Sequence, residues 1–267
     1  MSESVRAVAR SLDILSCFSQ SEPVLSLTEI AGRVKMPKST VHRLLATLEN
    51  RRFIKRDEAT GLYHLGLRFI EMAALVLQDL DLERWAQSYL QRLCAECGET
   101  VDLAVLDGDH VVYLQVVESP HRVKLAAAVG QRLPAFCTAS GKAFLAYLPD
   151  ERVTEVLSAG LTRYTDNTKV SLEDLRDELH RTRQQGFAIS EQEYEEDIHA
   201  VAAPILNDDG YPLMVIAIVG PSFRLSRERM MVLGESIRAA IETIKREVGL
   251  AALSAIASKT SGTGLAG

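Results

Sequence analysis

The chain reads as an α+β protein in two domains, a small N-terminal winged helix-turn-helix and a larger domain around a mostly antiparallel sheet. Three observations predict this. Two helical patterns a short turn apart, then a hairpin pattern, fill residues 1–66; a strongly apolar helical stretch follows at 67–80; and from Thr100 the hydrophobic period changes from helical to alternating. The expected division is 1–66 for the first domain, 67–80 for a linker helix that also helps dimerise, 81–250 for the second domain and 251–267 for a disordered tail. A length of 267 residues favours two domains over one, and 47% apolar with 25% charged residues is ordinary for a water-soluble fold.

The first domain is organised around PKSTVHRLLATLE, residues 37–49. Val41, Leu44, Leu45 and Leu48 recur at the spacing that places them on one side of a helix, and Pro37 suits its first turn. The other side carries Lys38, Ser39, Thr40, His42 and Arg43, short hydrogen-bonding groups and cations able to reach phosphates and base edges in a DNA major groove. Upstream, Ser26 and Glu29 fit a capping box with Leu25 and Ile30 as its hydrophobic staple, so a second helix begins near Leu27 and ends before a turn at Lys35-Met36-Pro37. Earlier still, Val5, Val8, Leu12, Leu15 and Phe18 form a helical stripe expected to pack under the helix pair. Downstream, residues 53–56 and 62–65 read as the two strands of a wing around Asp57–Gly61.

Charge supports this assignment once it is divided along the chain. The net charge is −6, but residues 1–80 hold 11 Lys and Arg against 9 Asp and Glu, while the remainder holds 19 against 27. Between Arg33 and Arg56 the contrast sharpens to eight basic residues, Arg51, Arg52, Lys55 and Arg56 of the wing among them, against the single acid Glu49. Phosphate contact is local, because charges are screened within about 8 Å at physiological salt, so one basic end suffices. No run approaches the roughly 20 apolar residues that cross a bilayer. The first residues lack the basic-then-apolar plan of a signal peptide, and Cys17, Cys94, Cys97 and Cys137 form neither a disulfide framework nor a metal-binding pattern. The expectation is a cytoplasmic protein without metal or other cofactor.

In the second domain, 101–106 and 111–117 read as a hairpin across Asp107-Gly108-Asp109, and 123–129 as a third strand. A loop at 133–136 leads to a helix opening at Thr138, helices follow at 150–158 and 171–185, strands at 187–190, 200–206 and 213–219, and a closing helix at 226–248. The most suggestive stretch is CTASGKAFLAYL. Small residues ahead of a helix leave amides bare for an anion, Thr138 and Ser140 add hydroxyls, and Lys142 adds charge if it turns inward. Only Gly141-Lys142 of a Walker loop is present. A catalytic use would make Cys137 or Ser140 a nucleophile, but no histidine stands at base spacing, and no catalytic residue is expected. The acidic run from Glu191 to Asp197 reads as a solvated loop.

Assembled in order, these blocks resemble the IclR family of bacterial transcription regulators. VARSLDIL, LTEIAGRVKMPKSTVHRLLATLENRRFI, YHLGLRF, LPAFCTASGKAFLAYLP and QQGFAISEQEYEEDIHAVAAPILNDDGYPLMVIAIVGP carry the likeness, over roughly residues 4–250. The resemblance implies a GAF-like second domain that binds a small effector, often an organic or aromatic acid, and a homodimer or dimer of dimers on a double-stranded DNA operator. By motif it points to Ala139, Ser140 and Gly141, with Cys137 and Thr138 just before them, and to Ser190, Ala200, Ala217 and Val219, as effector contacts. Some relatives are polar at Ala200, Ala217 and Val219, so this pocket is expected to prefer an apolar or aromatic body with one anionic end. The resulting expectation is an effector-responsive DNA-binding regulator, a repressor rather than an activator and not an enzyme. An enzyme with a DNA-binding appendage and a ligand-independent DNA-binding protein are the alternatives.

Overall fold

A computed structural model describes residues 5–19, 22–78, 82–125, 127–158, 160–249 and 253. The chain divides into two compact units, residues 1–79 and 80–267. The proposed tail lies outside the described residues except for Leu253, as do the last two residues of the linker stretch.

The first unit runs α1 (Arg6–Leu15), β1 (Val24–Leu25), α2 (Leu27–Arg33), α3 (Lys38–Asn50), β2 (Ile54–Arg56), β3 (Tyr63–Leu65) and α4 (Arg68–Gln78). The capping box at α2 is complete: Ser26 N donates to Glu29 Oε2 at 2.7 Å and Glu29 N donates to Ser26 Oγ at 3.3 Å. Its staple residues Leu25 and Ile30 are both buried. The turn to α3 takes Val34–Pro37, with Lys35 in the left-handed region at φ 49°. Val41, Leu45 and Leu48 close the core with Ile14, Ile54 and Tyr63. The wing has a third strand that the alternation pattern missed: β1, only two residues long, pairs antiparallel with β3, whose other edge takes β2.

Only the end of the stripe expected beneath the helix pair goes there: Leu15 and Phe18 pack against this core. Val5, Val8 and Leu12 are 67%, 58% and 57% exposed, and Ile14 enters the core instead. In a helix this short two apolar arcs fit one sequence, and the hydrophobic pattern does not say which arc the rest of the unit covers.

The second unit runs α5 (Leu82–Cys97), β4 (Thr100–Asp107), β5 (His110–Val117), β6 (Arg132–Pro134), α6 (Ala139–Leu145), α7 (Asp150–Leu157), α8 (Leu172–Gln185), β7 (Ala188–Glu191), β8 (Ile198–Leu206), β9 (Pro212–Pro221) and α9 (Arg227–Val248). Its strands form one sheet in the order β6-β5-β4-β9-β8-β7, antiparallel at every junction. Every residue of β9 is buried, as a strand covered on both faces requires. Ala139, Ala143 and Phe144 of α6 pack on the face formed by Ala104, Tyr113, Ala188, Ala202, Ala217 and Val219.

The described residues of 123–129 form no strand, and the edge strand is β6, which overlaps the stretch 133–136 read as a loop. Val123 and Val129 are exposed while Leu125 and Ala127 lie against the core, so alternation here marks a cover over the sheet edge. Gly130, at φ 81°, turns the chain so that Gln131 O can accept from Tyr113 N at 3.1 Å.

Candidate functional site

Two surfaces concentrate the residues singled out by sequence, one in each unit. On α3, Lys38, Ser39, His42 and Arg43 are exposed and Thr40 is half-buried, on the side of the helix away from Val41 and Leu45. In the wing, Arg51, Lys55 and Arg56 are exposed, and Arg56 lies over the Tyr63 ring with its guanidinium carbon 5.8 Å from the centroid. Arg52 differs. Its guanidinium holds Glu71 of α4 at 2.6 Å, and Arg68 holds the other oxygen of that carboxylate at 2.6 Å. These contacts keep the Glu71 carboxyl below its ordinary range, the Arg68 hydrogen bond being the largest cause. Glu49, the only acid of the basic stretch, accepts from Arg56 N at 3.1 Å and so braces the wing.

In the larger unit a cavity of about 70 Å³ opens between α6 and the sheet. Cys137, Thr138, Ala139, Ser140, Ser190, Ala200 and Val219 line it together, although they come from α6, the residues before it and three strands. Two expected contacts do not line it. Gly141 sits where an added Cβ would lie 2.0 Å from Ala135 O, so it serves close helix-to-backbone packing. Ala217 lies one strand pair beyond the lining residues, buried beneath α6. The Thr138 hydroxyl is also committed, accepting from Gly141 N at 3.2 Å and donating to Pro134 O at 2.9 Å. It is a helix cap and not a free donor.

Residues 7–58 match the family described as the IclR helix-turn-helix domain, and residues 74–246 match the family described as bacterial transcriptional regulator IclR C-terminal. The chain belongs to the IclR family. It is 33% identical over 250 residues to the HTH-type transcriptional regulator KipR of Bacillus subtilis, covering 91% of this chain and 97% of that one. It is 32% identical over 248 residues to the transcriptional repressor IclR of Escherichia coli, covering 92% and 90%. Among solved structures, an IclR homolog from Microbacterium hydrocarbonoxydans complexed with 4-hydroxybenzoate superposes with a TM-score of 0.76 at 26% identity, over 90% of this chain and 99% of that one.

In this IclR-family chain Lys142 does not face the cavity. It is fully buried and its ammonium donates to Glu178, to Glu193 at 2.5 Å and to Ile189 O at 2.6 Å. Lys169 reaches the same two carboxylates, the Glu193 one at 3.4 Å. Glu193 thus corrects the reading of residues 191–197 as a solvated loop, because it is 3% exposed. Thr165 Oγ1 and Thr168 Oγ1 donate to Gln192 O and Glu193 O at 2.5 and 2.7 Å, and both Gln192 and Asp197 take left-handed φ near 60°. The loop is pinned, and it carries Tyr194 and Glu195 to the cavity wall.

Sequence reasoning missed Tyr113, Gln131, Tyr194 and Glu195 as lining residues. For Tyr194 a signal existed: it is the one aromatic residue in an otherwise acidic run. Burial, with Glu193 adding to it and Lys142 partly opposing, pushes the Cys137 thiol up to about 12, which keeps it protonated and unreactive. Cys94 and Cys97 are buried, and no cluster of His, Cys, Asp or Glu among the described residues could hold a metal ion. No described helix is long and apolar enough to cross a membrane.

Proposed function

We propose that this IclR-family DNA-binding transcription regulator is a cytoplasmic repressor, acting as a homodimer or dimer of dimers, whose operator affinity changes when a small organic or aromatic acid enters the cavity beside α6. The observation that carries the effector half of this reading is the convergence of seven motif residues from four separate segments on one cavity. Such a space, apolar for the most part with a few placed hydroxyls, suits a ligand with an apolar body and one polar end. With Lys142 turned away and Glu195 the one charged residue among those that line the cavity, the acid group is held by neutral donors, the Ser140 hydroxyl first and the Ser190 hydroxyl where it gives up its 3.4 Å bond to Cys137 O. Two similar proteins support it: one is named a repressor, and another was solved with 4-hydroxybenzoate. An enzymatic use has less support, since Cys137 is a protonated thiol and the lining residues include no histidine.

A thermal-shift series on the full chain with small carboxylic and aromatic acids tests the pocket. An acid at a hundred times its dissociation constant should add about 2.7 kcal/mol to the stability of the unit that binds it. Ser140→Leu, which fills the space, should abolish that shift. A shift that survives in Ser140→Leu would place the ligand elsewhere.

For the DNA half, the α3 side chains read bases and the wing cations Arg51, Lys55 and Arg56 meet phosphate. Arg43→Ala should cost about 1–3 kcal/mol on the chain's own operator and much less on random DNA, measured by anisotropy at one fixed salt concentration. Equal losses on both would assign Arg43 to the phosphate contacts.

A further inference from the structure

Beneath the cavity lies a group that the reading above leaves unused. Asp102, in the middle of β4, is fully buried, and both of its carboxyl oxygens are enclosed without a hydrogen-bond partner among the described residues. Asp102 is not itself among the residues that line the cavity, but buried polar side chains are nearly always paired, so an orphan directly beneath that cavity points to an occupant.

The register places it. Asp102 is the cross-strand partner of Val116 on one side and Ala217 on the other; Ala217 opposes Ala202, and Ala202 opposes Ala188. Partners of this kind share a face of the sheet, so these residues form one row. The next row on that face is Thr100, Val219, Ala200 and Ser190, and the last three line the cavity. On the other side Tyr113, partner of Ala104, lines it too, and its hydroxyl feels the Asp102 carboxyl. The carboxyl therefore sits between two lining residues, in a row whose other members are alanine and valine and have no polar atom to offer it.

We propose that Asp102 is the specificity-determining residue of the pocket: it accepts a hydrogen bond from a hydroxyl or amino group on the body of the effector acid, and so selects hydroxy- or amino-substituted acids over their unsubstituted parents. This rests on the reading of the cavity as the effector site. Burial pushes Asp102 up to about 8, so near neutral pH it is a carboxylic acid with an acceptor and a donor of its own. A ligand hydroxyl satisfies both, and an aromatic C–H edge satisfies neither. Sites built around such a bond reject the analogue that lacks it far more strongly than apolar pockets reject a missing methylene.

The test is titration calorimetry on the full chain with two matched sets, benzoate against 4-hydroxybenzoate and 4-aminobenzoate, and propanoate against 3-hydroxypropanoate. In at least one set the substituted acid should bind the native protein about tenfold or more tightly than its parent. Asp102→Ala, which removes the carboxyl and adds no atoms, should reduce that preference to within about twofold while the parent acid keeps its affinity; Asp102→Asn, which retains an acceptor oxygen, should keep part of it. Equal affinities within both sets, or a preference that survives Asp102→Ala, overturns the assignment of Asp102 and leaves the pocket standing. Failure of every acid to bind the native protein removes the pocket reading, and this proposal with it.

Discussion

Lys142→Met is expected to lower the stability of the larger unit by about 3–5 kcal/mol, the cost typical of breaking a buried ion pair by removing one partner. The substitution keeps the length and apolar stem of the side chain, so the loss is one of charge. Glu178 and Glu193 are then left facing one another in a buried site, with Lys169, 31% exposed, as their remaining cation. Ile189 O loses its donor as well. Urea unfolding at pH 7 measures the loss, and adding Glu193→Gln to Lys142→Met should return part of it, because one stranded charge disappears. The pH dependence carries a second signature. Burial by itself would raise the Glu178 carboxyl, but Lys142 and Lys169 outweigh it and hold the group below its ordinary 4.5. A carboxyl depressed in this way stabilises the fold fully above its ordinary value, and that contribution fades as the pH drops below it. The native protein should lose stability steeply in that acid range and the Lys142→Met variant much less. A loss under about 1 kcal/mol at pH 7 would mean that water reaches the carboxylates after all.

Asp102→Asn should act in the opposite direction and stabilise the protein. In the unfolded chain this carboxyl ionises near its ordinary 3.8, and in the folded domain at about 8, because burial disfavours the charge. Below the lower value both states hold the proton, and the substitution changes little. As the pH rises from there the unfolded chain gains by releasing its proton and the native fold loses ground, until the folded carboxyl ionises too and the difference levels off. Asparagine does not titrate. The stability difference between the two proteins should therefore open from about pH 4 and reach roughly 3–5 kcal/mol by pH 8. The groups around Asp102 do not reverse this sign: Ala217 and Val116 flank it, Ala139 and Ala143 of α6 pack on its face, Tyr113 is held well above its ordinary range, and Lys142 is bound to Glu178 and Glu193. Parallel curves for the two proteins across pH 4–8 would show that the carboxyl finds a partner or water.

How much of this was legible in the sequence depended on how far apart the interacting residues lie. The capping box at Ser26 and Glu29 closes within one helical turn, so its residue types announce it, and the wing's turn at Asp57–Gly61 is equally local. Thr138 and Ser140 stood out locally as small residues opening a helix, but Ser190, Ala200 and Val219 were legible only through the family motif, since nothing in residue 140 indicates that they stand beside it. Lys142 was misjudged for the same reason. Its partners Glu178 and Glu193 are 36 and 51 residues away, and a cation next to small residues looks like a ligand contact until they are placed. Asp102 was passed over because an acid inside an alternating strand normally marks the solvent side. Here both faces of the sheet are covered, and alternation carries no such information.

The pairing of β4 with β9 has a consequence for how the protein is made. Thr100 bonds across to Val219, so the middle of the sheet joins residues more than a hundred positions apart, while β5 and β6 can only hang from β4 and β7 from β8. A chain emerging from the ribosome has every strand of its first unit by Leu65, yet the second unit has no central pair until β9 has been synthesised. In that interval β4 and β8, largely apolar strands, each have a long edge exposed to neighbouring chains. Truncation before β9 would make that exposure permanent, leaving a folded DNA-binding unit joined to an aggregation-prone remnant.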